Sequence, residues 1–119
     1  MTITLYTEGF LNASHSLPHY NGPCTQLHGH TWKIAVWVRG EETQLDPAGI
    51  LWDYNNLYTL ITEYDHHNLN ECMNVSPTAE RMALEVYSKF KTQSHQLLFR
   101  VRIYESVVPT ESYAEVGDF

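Results

Sequence analysis

The sequence predicts an α+β fold in which a four-stranded antiparallel sheet carries two helices on one face. Two observations support this prediction: strand patterns occupy both ends of the chain, where hairpins can join them, and helical patterns occupy the middle. The element order is therefore ββααββ. A length of 119 residues with 43% hydrophobic residues predicts a single domain spanning 1–119. Four strands leave edges that another subunit could cover.

The strands are predicted from side-chain alternation and from β-branched and aromatic residues. The segment ITLYTEGFLNASH predicts a first strand that ends near His15. From His30, the segment HTWKIAVWVRG alternates and predicts a half-buried strand that ends at Gly40. The segments QLLFRVRIYE and SYAEV predict the last two strands.

The helices are predicted from apolar residues at helical spacing. Asp53 is expected to cap the first helix, and Ser76 and Pro77 are expected to be the N-cap and first-turn residues of the second. The apolar positions of the first helix are Leu57, Leu60, Ile61 and Tyr64. The second continues through Phe90.

The charge balance excludes several classes of partner. Fourteen acidic residues against seven basic ones give a net charge of −7, which offers no basic surface to nucleic acid or to an anionic membrane. No run approaches the roughly 18 apolar residues of a membrane span, and the first residues do not resemble a signal peptide. We therefore expect a cytoplasmic protein. In that reducing compartment Cys24 is predicted to be a free thiol.

A thiol and two histidines lie close together in the segment CTQLHGH. His28 and His30 are two residues apart at the start of a strand, so their side chains project to the same face and can bind one ion. A catalytic zinc takes three protein ligands and keeps a fourth position open. His15 is a candidate third ligand if the first two strands pair. Cys24 could instead complete a closed structural site.

Three further positions could contribute to a site. In the segment YDHHNLN, Asp65 could orient a neighbouring imidazole, but a polar connector in which Asp65 caps a turn is the interpretation that the residues alone favour. Glu105 follows the inward-facing positions of the third strand, so it either has a ligand as its partner or lies beyond the strand end in solvent. The helix start SPTAE has free backbone N–H groups that could bind an anion or could simply be capped. We expect His19, His67 and His95 to be surface residues.

Six motifs together resemble the family of 6-pyruvoyl- and 6-carboxytetrahydropterin synthases, and their order extends over nearly the whole chain. They are ASH with His15, CTQLHGHTWK, WDYNNL, DHHNLN, PTAE and YES with Glu105. The three residues between Cys24 and the HGH unit form a short spacing that resembles the bacterial 6-carboxytetrahydropterin branch, which functions in queuosine and deazapurine synthesis.

The resemblance implies a role for each matching residue. It implies a Zn²⁺ site formed by His15, His28 and His30. It makes Cys24 a catalytic thiol that works with the pair Asp65 and His66. Glu105 would anchor the pterin ring, with Thr78 and Lys33 as further substrate-binding residues.

The implied fold is the tunnelling fold (T-fold), in which subunits close into a barrel. A homohexamer with active sites between subunits is the expected assembly. The implied reaction converts 7,8-dihydroneopterin triphosphate to 6-carboxy-5,6,7,8-tetrahydropterin, acetaldehyde and triphosphate. A synthase that stops at the 6-pyruvoyl product, or a paralogue that uses or merely binds another pterin-like ligand, is the alternative.

The sequence departs from the family pattern at two positions that bear on the substrate. The family often has a basic residue after the first zinc histidine, where this chain has Ser16. It commonly has a lysine where this chain has Tyr58. Both differences remove positive charge, which leaves open how a triphosphate would be bound. A zinc-stabilised interaction module with Cys24 as a fourth ligand is a separate possibility.

Overall fold

The computed structural model describes residues 1–22 and 25–119, and within these it contains one four-stranded antiparallel sheet. The strands are β1 (Thr2–His15), β2 (His28–Glu41), β3 (Leu98–Ser106) and β4 (Ser112–Gly117), and they lie in the spatial order β1-β2-β3-β4. The predicted α+β fold and its sheet are therefore confirmed. Cys24 lies outside the described residues, so its proposed roles stay predictions.

Three α-helices connect the two hairpins: α1 (Asn55–Thr62), α2 (Leu69–Cys72) and α3 (Ala79–Gln93). Two of them correspond to the predicted pair, and the one-turn helix α2 is an addition in the connecting loop. The sequence predicts Asp53 as the cap of α1, but the N-cap is Tyr54, whose side chain makes no capping hydrogen bond. Asp53, one residue earlier, accepts a hydrogen bond from the amide of Asn55. Within the described ranges, none of the helices is long and apolar enough to cross a membrane.

The N-cap of the long helix differs from the prediction. The sequence predicts Ser76 at this position, but Thr78 is the N-cap, and its hydroxyl accepts a hydrogen bond from the amide of Arg81 at 3.1 Å. Pro77 precedes the cap instead of starting the helix. Both serine and threonine can cap, so composition alone could not separate two hydroxyls two residues apart.

The core lies between the helices and one face of the sheet. Alternate residues of β2, beginning at Trp32, and the inward face of α3 are fully buried. Trp52, Phe90 and Phe99 form an aromatic cluster where α3 meets β3, with ring centroids 5.1 to 5.9 Å apart. This packing fixes the side of the sheet toward which even-numbered β2 residues point, which includes His28 and His30.

Candidate metal centre

The three predicted metal ligands lie together at one end of the sheet. His15 pairs directly with His28 in the β1–β2 register, and His30 pairs with Ala13. One donor atom from each histidine and one from Glu105 all lie within 4.8 Å of one another. This group could hold a metal ion.

The hydrogen bonds of two histidines set their tautomers. His15 Nδ1 lies 2.8 Å from the carbonyl oxygen of Pro77, and His28 Nδ1 lies 2.7 Å from that of Gln26. A carbonyl group only accepts, so each Nδ1 must donate. In neutral rings the Nε2 atoms then carry lone pairs, and these two atoms are 3.0 Å apart. Both lone pairs are therefore available to one cation. The Nδ1 hydrogen bonds to carbonyl groups are the usual outer hydrogen bonding of metal-ligating histidines.

His30 completes the set with a third available nitrogen. Its Nε2 atom is buried and makes no well-aligned hydrogen bond to the residues that the structure describes, although Glu105 Oε1 lies 3.3 Å away. Burial lowers the pKa of His30; the Glu105 carboxylate opposes this effect, and His15 and His28 add to it. A lowered pKa keeps the ring neutral and able to coordinate. The residues therefore fit a metal ion in the three-histidine pattern that is common for zinc.

Glu105 lies beside the histidines on the inward-facing side of β3, and its side chain is about one-third exposed, 32%. The sequence left two alternatives for this carboxylate: an inward-facing charge with a ligand as its partner, or a side chain beyond the strand end in solvent. The observed exposure is intermediate between them. A recess of about 410 Å³ extends from this carboxylate and is lined by Gly29, His30, Thr31 and residues 105–108. Its volume is within the range of small-ligand pockets.

Asp65 and His66 are outside the histidine cluster. Asp65 Oδ1 accepts a hydrogen bond from the amide of Asn12 at 2.9 Å, and Asp65 Oδ2 lies 3.6 Å from His66 Nε2. His66 has a left-handed backbone (φ 61°) and a largely exposed ring, 79%. Together with His30, it lines a second, open recess at the edge of β1 and β2. A role in catalysis stays a prediction.

The other predicted substrate-binding residues are placed differently. Thr78 uses its hydroxyl to cap α3, next to Pro77, which orients His15. Lys33 lies on the opposite face of the sheet, where it contacts Glu8 at 2.9 Å and the ring of Tyr104. Strand parity relative to His30 was a sequence signal that could have shown this placement. His19, His67 and His95 are exposed, as expected.

Sequence reasoning missed two groups that support the site. The Pro77 carbonyl and the Asn70 side chain contact residues 15 and 16 across more than 50 positions of sequence. The motifs PTAE and DHHNLN contain these residues, but their contacts depend on how the chain folds back against β1.

The fold and the site define a class of protein: T-fold chains with a three-histidine cluster at one end of the sheet. A family model described as 6-pyruvoyl tetrahydropterin synthase matches residues 4–116, so the chain belongs to this family. The fold is also that of a solved 6-pyruvoyl tetrahydropterin synthase from Caenorhabditis elegans. Its TM-score is 0.73 at 23% identity, and the match covers 98% of this chain and 96% of that one.

Two relatives carry different names. The chain is 29% identical to a 6-carboxy-5,6,7,8-tetrahydropterin synthase of Synechocystis sp., a match that covers 92% of this chain and 91% of the relative. It is 34% identical to a dihydroneopterin monophosphate aldolase of Pyrococcus furiosus over 56% of this chain and 57% of the relative. The family therefore includes relatives named for different reactions.

Proposed function

We propose that this protein is a zinc-dependent 6-carboxy-5,6,7,8-tetrahydropterin synthase. It would convert 7,8-dihydroneopterin triphosphate and water to 6-carboxytetrahydropterin, acetaldehyde and triphosphate, a lyase reaction of the queuosine and deazapurine pathway. The observation that supports this proposal most is the convergence of three histidine Nε2 atoms beside a carboxylate-lined recess. The Synechocystis relative, which matches almost end to end, supports the choice of reaction.

His15, His28 and His30 would hold the zinc ion. When bound, zinc supplies Lewis-acid chemistry that lowers the pKa of substrate hydroxyl groups. The Pro77 and Gln26 carbonyl groups hold two of the rings in the tautomer that presents Nε2.

Glu105 would accept two neighbouring N–H groups of the pterin ring in the recess formed with residues 106–108. A carboxylate binds such a paired edge through two charge-assisted hydrogen bonds, which fixes the orientation of a flat heterocycle. Its position beside His30 would bring the side chain of the substrate toward the histidine cluster.

Cys24 and His66 would move protons, with Asp65 stabilising the charged imidazole. The His66 ring is exposed on its own subunit, which fits a role at a neighbouring site in an oligomer. Much of the outer edge of β1 and the free edge of β4 are not paired within the described chain, and Phe10 on β1 is 54% exposed. We propose a homohexamer located in the cytoplasm.

A substrate with fewer phosphates is the second candidate. Five of the seven basic residues pair with carboxylates elsewhere: Lys33, Lys89, Lys91, Arg100 and Arg102. Ser16 and Tyr58 add no charge, and the Pyrococcus furiosus relative is named for a monophosphate. Release of the 6-pyruvoyl product is the third candidate.

The test is to incubate the zinc-loaded protein with dihydroneopterin triphosphate, monophosphate and the unphosphorylated compound in parallel. Product masses and an acetaldehyde assay distinguish the candidates. Formation of 6-carboxytetrahydropterin with acetaldehyde from the triphosphate supports the proposal. Unchanged triphosphate in a fully metal-loaded sample would reject it.

A further inference from the structure

The segment Asp65–Asn70 runs along the outer edge of β1 and is called the strap below. It adds a short parallel pairing to the sheet, with a bridge between Ser14 and Asn68. The His66 amide donates to the Asn12 carbonyl at 2.7 Å, and the Ser14 amide donates to the His67 carbonyl at 3.1 Å. The strap therefore fastens the strand as it approaches His15.

Asn70 continues this pairing with its side chain after β1 has ended. Its Oδ1 atom accepts a hydrogen bond from the Ser16 amide at 2.8 Å, and its Nδ2 group donates to the Ser16 carbonyl at 3.0 Å. A carboxamide offers a donor and an acceptor side by side, as a peptide group does. Asn70 thus satisfies both backbone polar groups of the residue that follows His15.

The position of the Ser16 backbone affects His15 directly, because the two residues are adjacent and the buried His15 ring has little freedom to compensate for a backbone shift. His15 is fully buried, and it is held on one side by its register with His28 and on another by the Pro77 carbonyl. The Asn70 clamp supports the backbone immediately after it. Outer groups that orient metal ligands typically contribute 10- to 100-fold to metal affinity.

We propose that Asn70 is a positioning residue that sets His15 for metal binding. The inference rests on the proposed metal role of the three histidines. It gives the DHHNLN motif a second role besides that of Asp65 and His66. Through Asn70, the motif would hold the backbone next to His15 in place.

The test compares Asn70→Ala and Asn70→Asp with the control Tyr64→Phe. The Tyr64 hydroxyl also makes two hydrogen bonds: it donates to Glu85 and accepts from Lys89, and neither bond involves residue 15 or 16. The dissociation constant for Zn²⁺ is measured by competition with a chromophoric chelator. The visible spectrum of the Co²⁺-loaded protein reports ligand geometry, and urea unfolding of the metal-free protein reports stability.

Asn70→Ala is expected to weaken zinc binding at least tenfold and to change the Co²⁺ spectrum. Asn70→Asp keeps the acceptor but not the donor, so its loss of zinc affinity should be intermediate. If the alanine variant does not fold, the aspartate variant alone tests the inference. The zinc dissociation constant of Tyr64→Phe should stay within threefold of the wild-type value, even if this variant loses as much stability as Asn70→Ala does. Wild-type affinity in both Asn70 variants, or an equal loss in Tyr64→Phe, would overturn the inference. Wild-type protein without zinc affinity would overturn the proposed function as well.

Discussion

The Nε2 atoms of His15 and His28 face each other at 3.0 Å, while the Nδ1 atom of each ring donates to a main-chain carbonyl. Two neutral rings in this tautomer direct lone pairs at one another. A bound cation between the two atoms removes that repulsion. Metal binding and folding stability are therefore expected to be coupled.

The first prediction concerns that coupling. Zinc at about 100 times its dissociation constant should stabilise the protein by about 2.7 kcal/mol, because it binds only the folded state. His15→Ala and His28→Ala should abolish the shift in urea unfolding and reduce bound zinc from about one per chain to near zero. His95→Ala, which changes an exposed histidine, is the control. An undiminished zinc content in His15→Ala would contradict the site.

The second prediction separates two roles for Glu105. If this carboxylate anchors a pterin ring, Glu105→Gln loses charge-assisted hydrogen bonds worth about 1.5–3 kcal/mol, and KM should rise roughly 10- to 100-fold. Zinc affinity should remain within threefold. The control is Glu111→Gln, at an exposed position between β3 and β4. Loss of zinc from Glu105→Gln would instead assign the carboxylate to the metal.

The third prediction concerns the glycine between the two histidines. Among the described residues, a Cβ atom at Gly29 would meet only the Ala13 carbonyl oxygen, at 3.9 Å, and the Gly29 backbone is not left-handed. Glycine weakens a strand by roughly 0.5–1 kcal/mol, so Gly29→Ala should keep or raise stability. Because Gly29 lines both recesses, the added methyl group should raise KM for the pterin substrate.

Gly49→Ala is the matched control for that experiment. A Cβ atom at Gly49 would also have open space, with no atom of the described chain within 4 Å, but the φ of 83° is unfavourable for alanine. This variant should lose about 1 kcal/mol of stability and keep its KM. An unchanged KM in Gly29→Ala would show that the ligand does not use the part of the two recesses that Gly29 lines.

The fourth prediction concerns Cys24. Cys24→Ala should abolish turnover while the zinc content stays near one per chain, because three histidines are sufficient for a catalytic zinc site. Zinc content is measured by elemental analysis of the purified variant. Cys72→Ala is the control, since Cys72 is a half-buried thiol beside the core. Zinc loss in Cys24→Ala would favour a closed structural site.

The fifth prediction concerns acid stability at the C-terminus. Partial burial opposes ionisation of Asp118, but hydrogen bonds from Tyr87, the Phe99 amide and Lys91 prevail and lower its pKa. A carboxyl whose pKa is lower in the folded state stabilises the protein above its unfolded pKa of about 3.9. That stability is lost as the pH falls through the folded value.

Asp118→Asn should therefore destabilise the protein at pH 7 by about 1–3 kcal/mol and should lessen the loss of stability below about pH 4. Urea unfolding across pH 2–7 measures both effects. The control is Asp46→Asn, which changes a carboxylate in an exposed turn that accepts hydrogen bonds from the amides of Ala48 and Ile50. Parallel pH profiles for Asp118→Asn and wild type would contradict the prediction.

Much of the fold followed from local pattern. Alternation around Trp32 and Phe99 predicted strands because a sheet with one buried face imposes a period of two. The sequence predicts the start of β2 at His30, whereas the strand begins at His28, since a histidine-glycine pair carries little strand signal. Tyr64 continues the apolar spacing of α1 but lies just beyond its end, where it packs as a buried residue.

The sequence by itself determined which side chains can bind a metal and which face of the β2 strand each residue occupies. His28 and His30 must share one face, and Lys33 must lie on the other. Only the tertiary structure decided which groups meet. Register placed His15 opposite His28, and chain reversal brought the Pro77 carbonyl to His15 and the Asn70 side chain to Ser16. Periodicity acts over a few residues, whereas the contacts of Pro77 with His15 and of Asn70 with Ser16 join positions more than 50 residues apart, and packing of the helices against the sheet selects them.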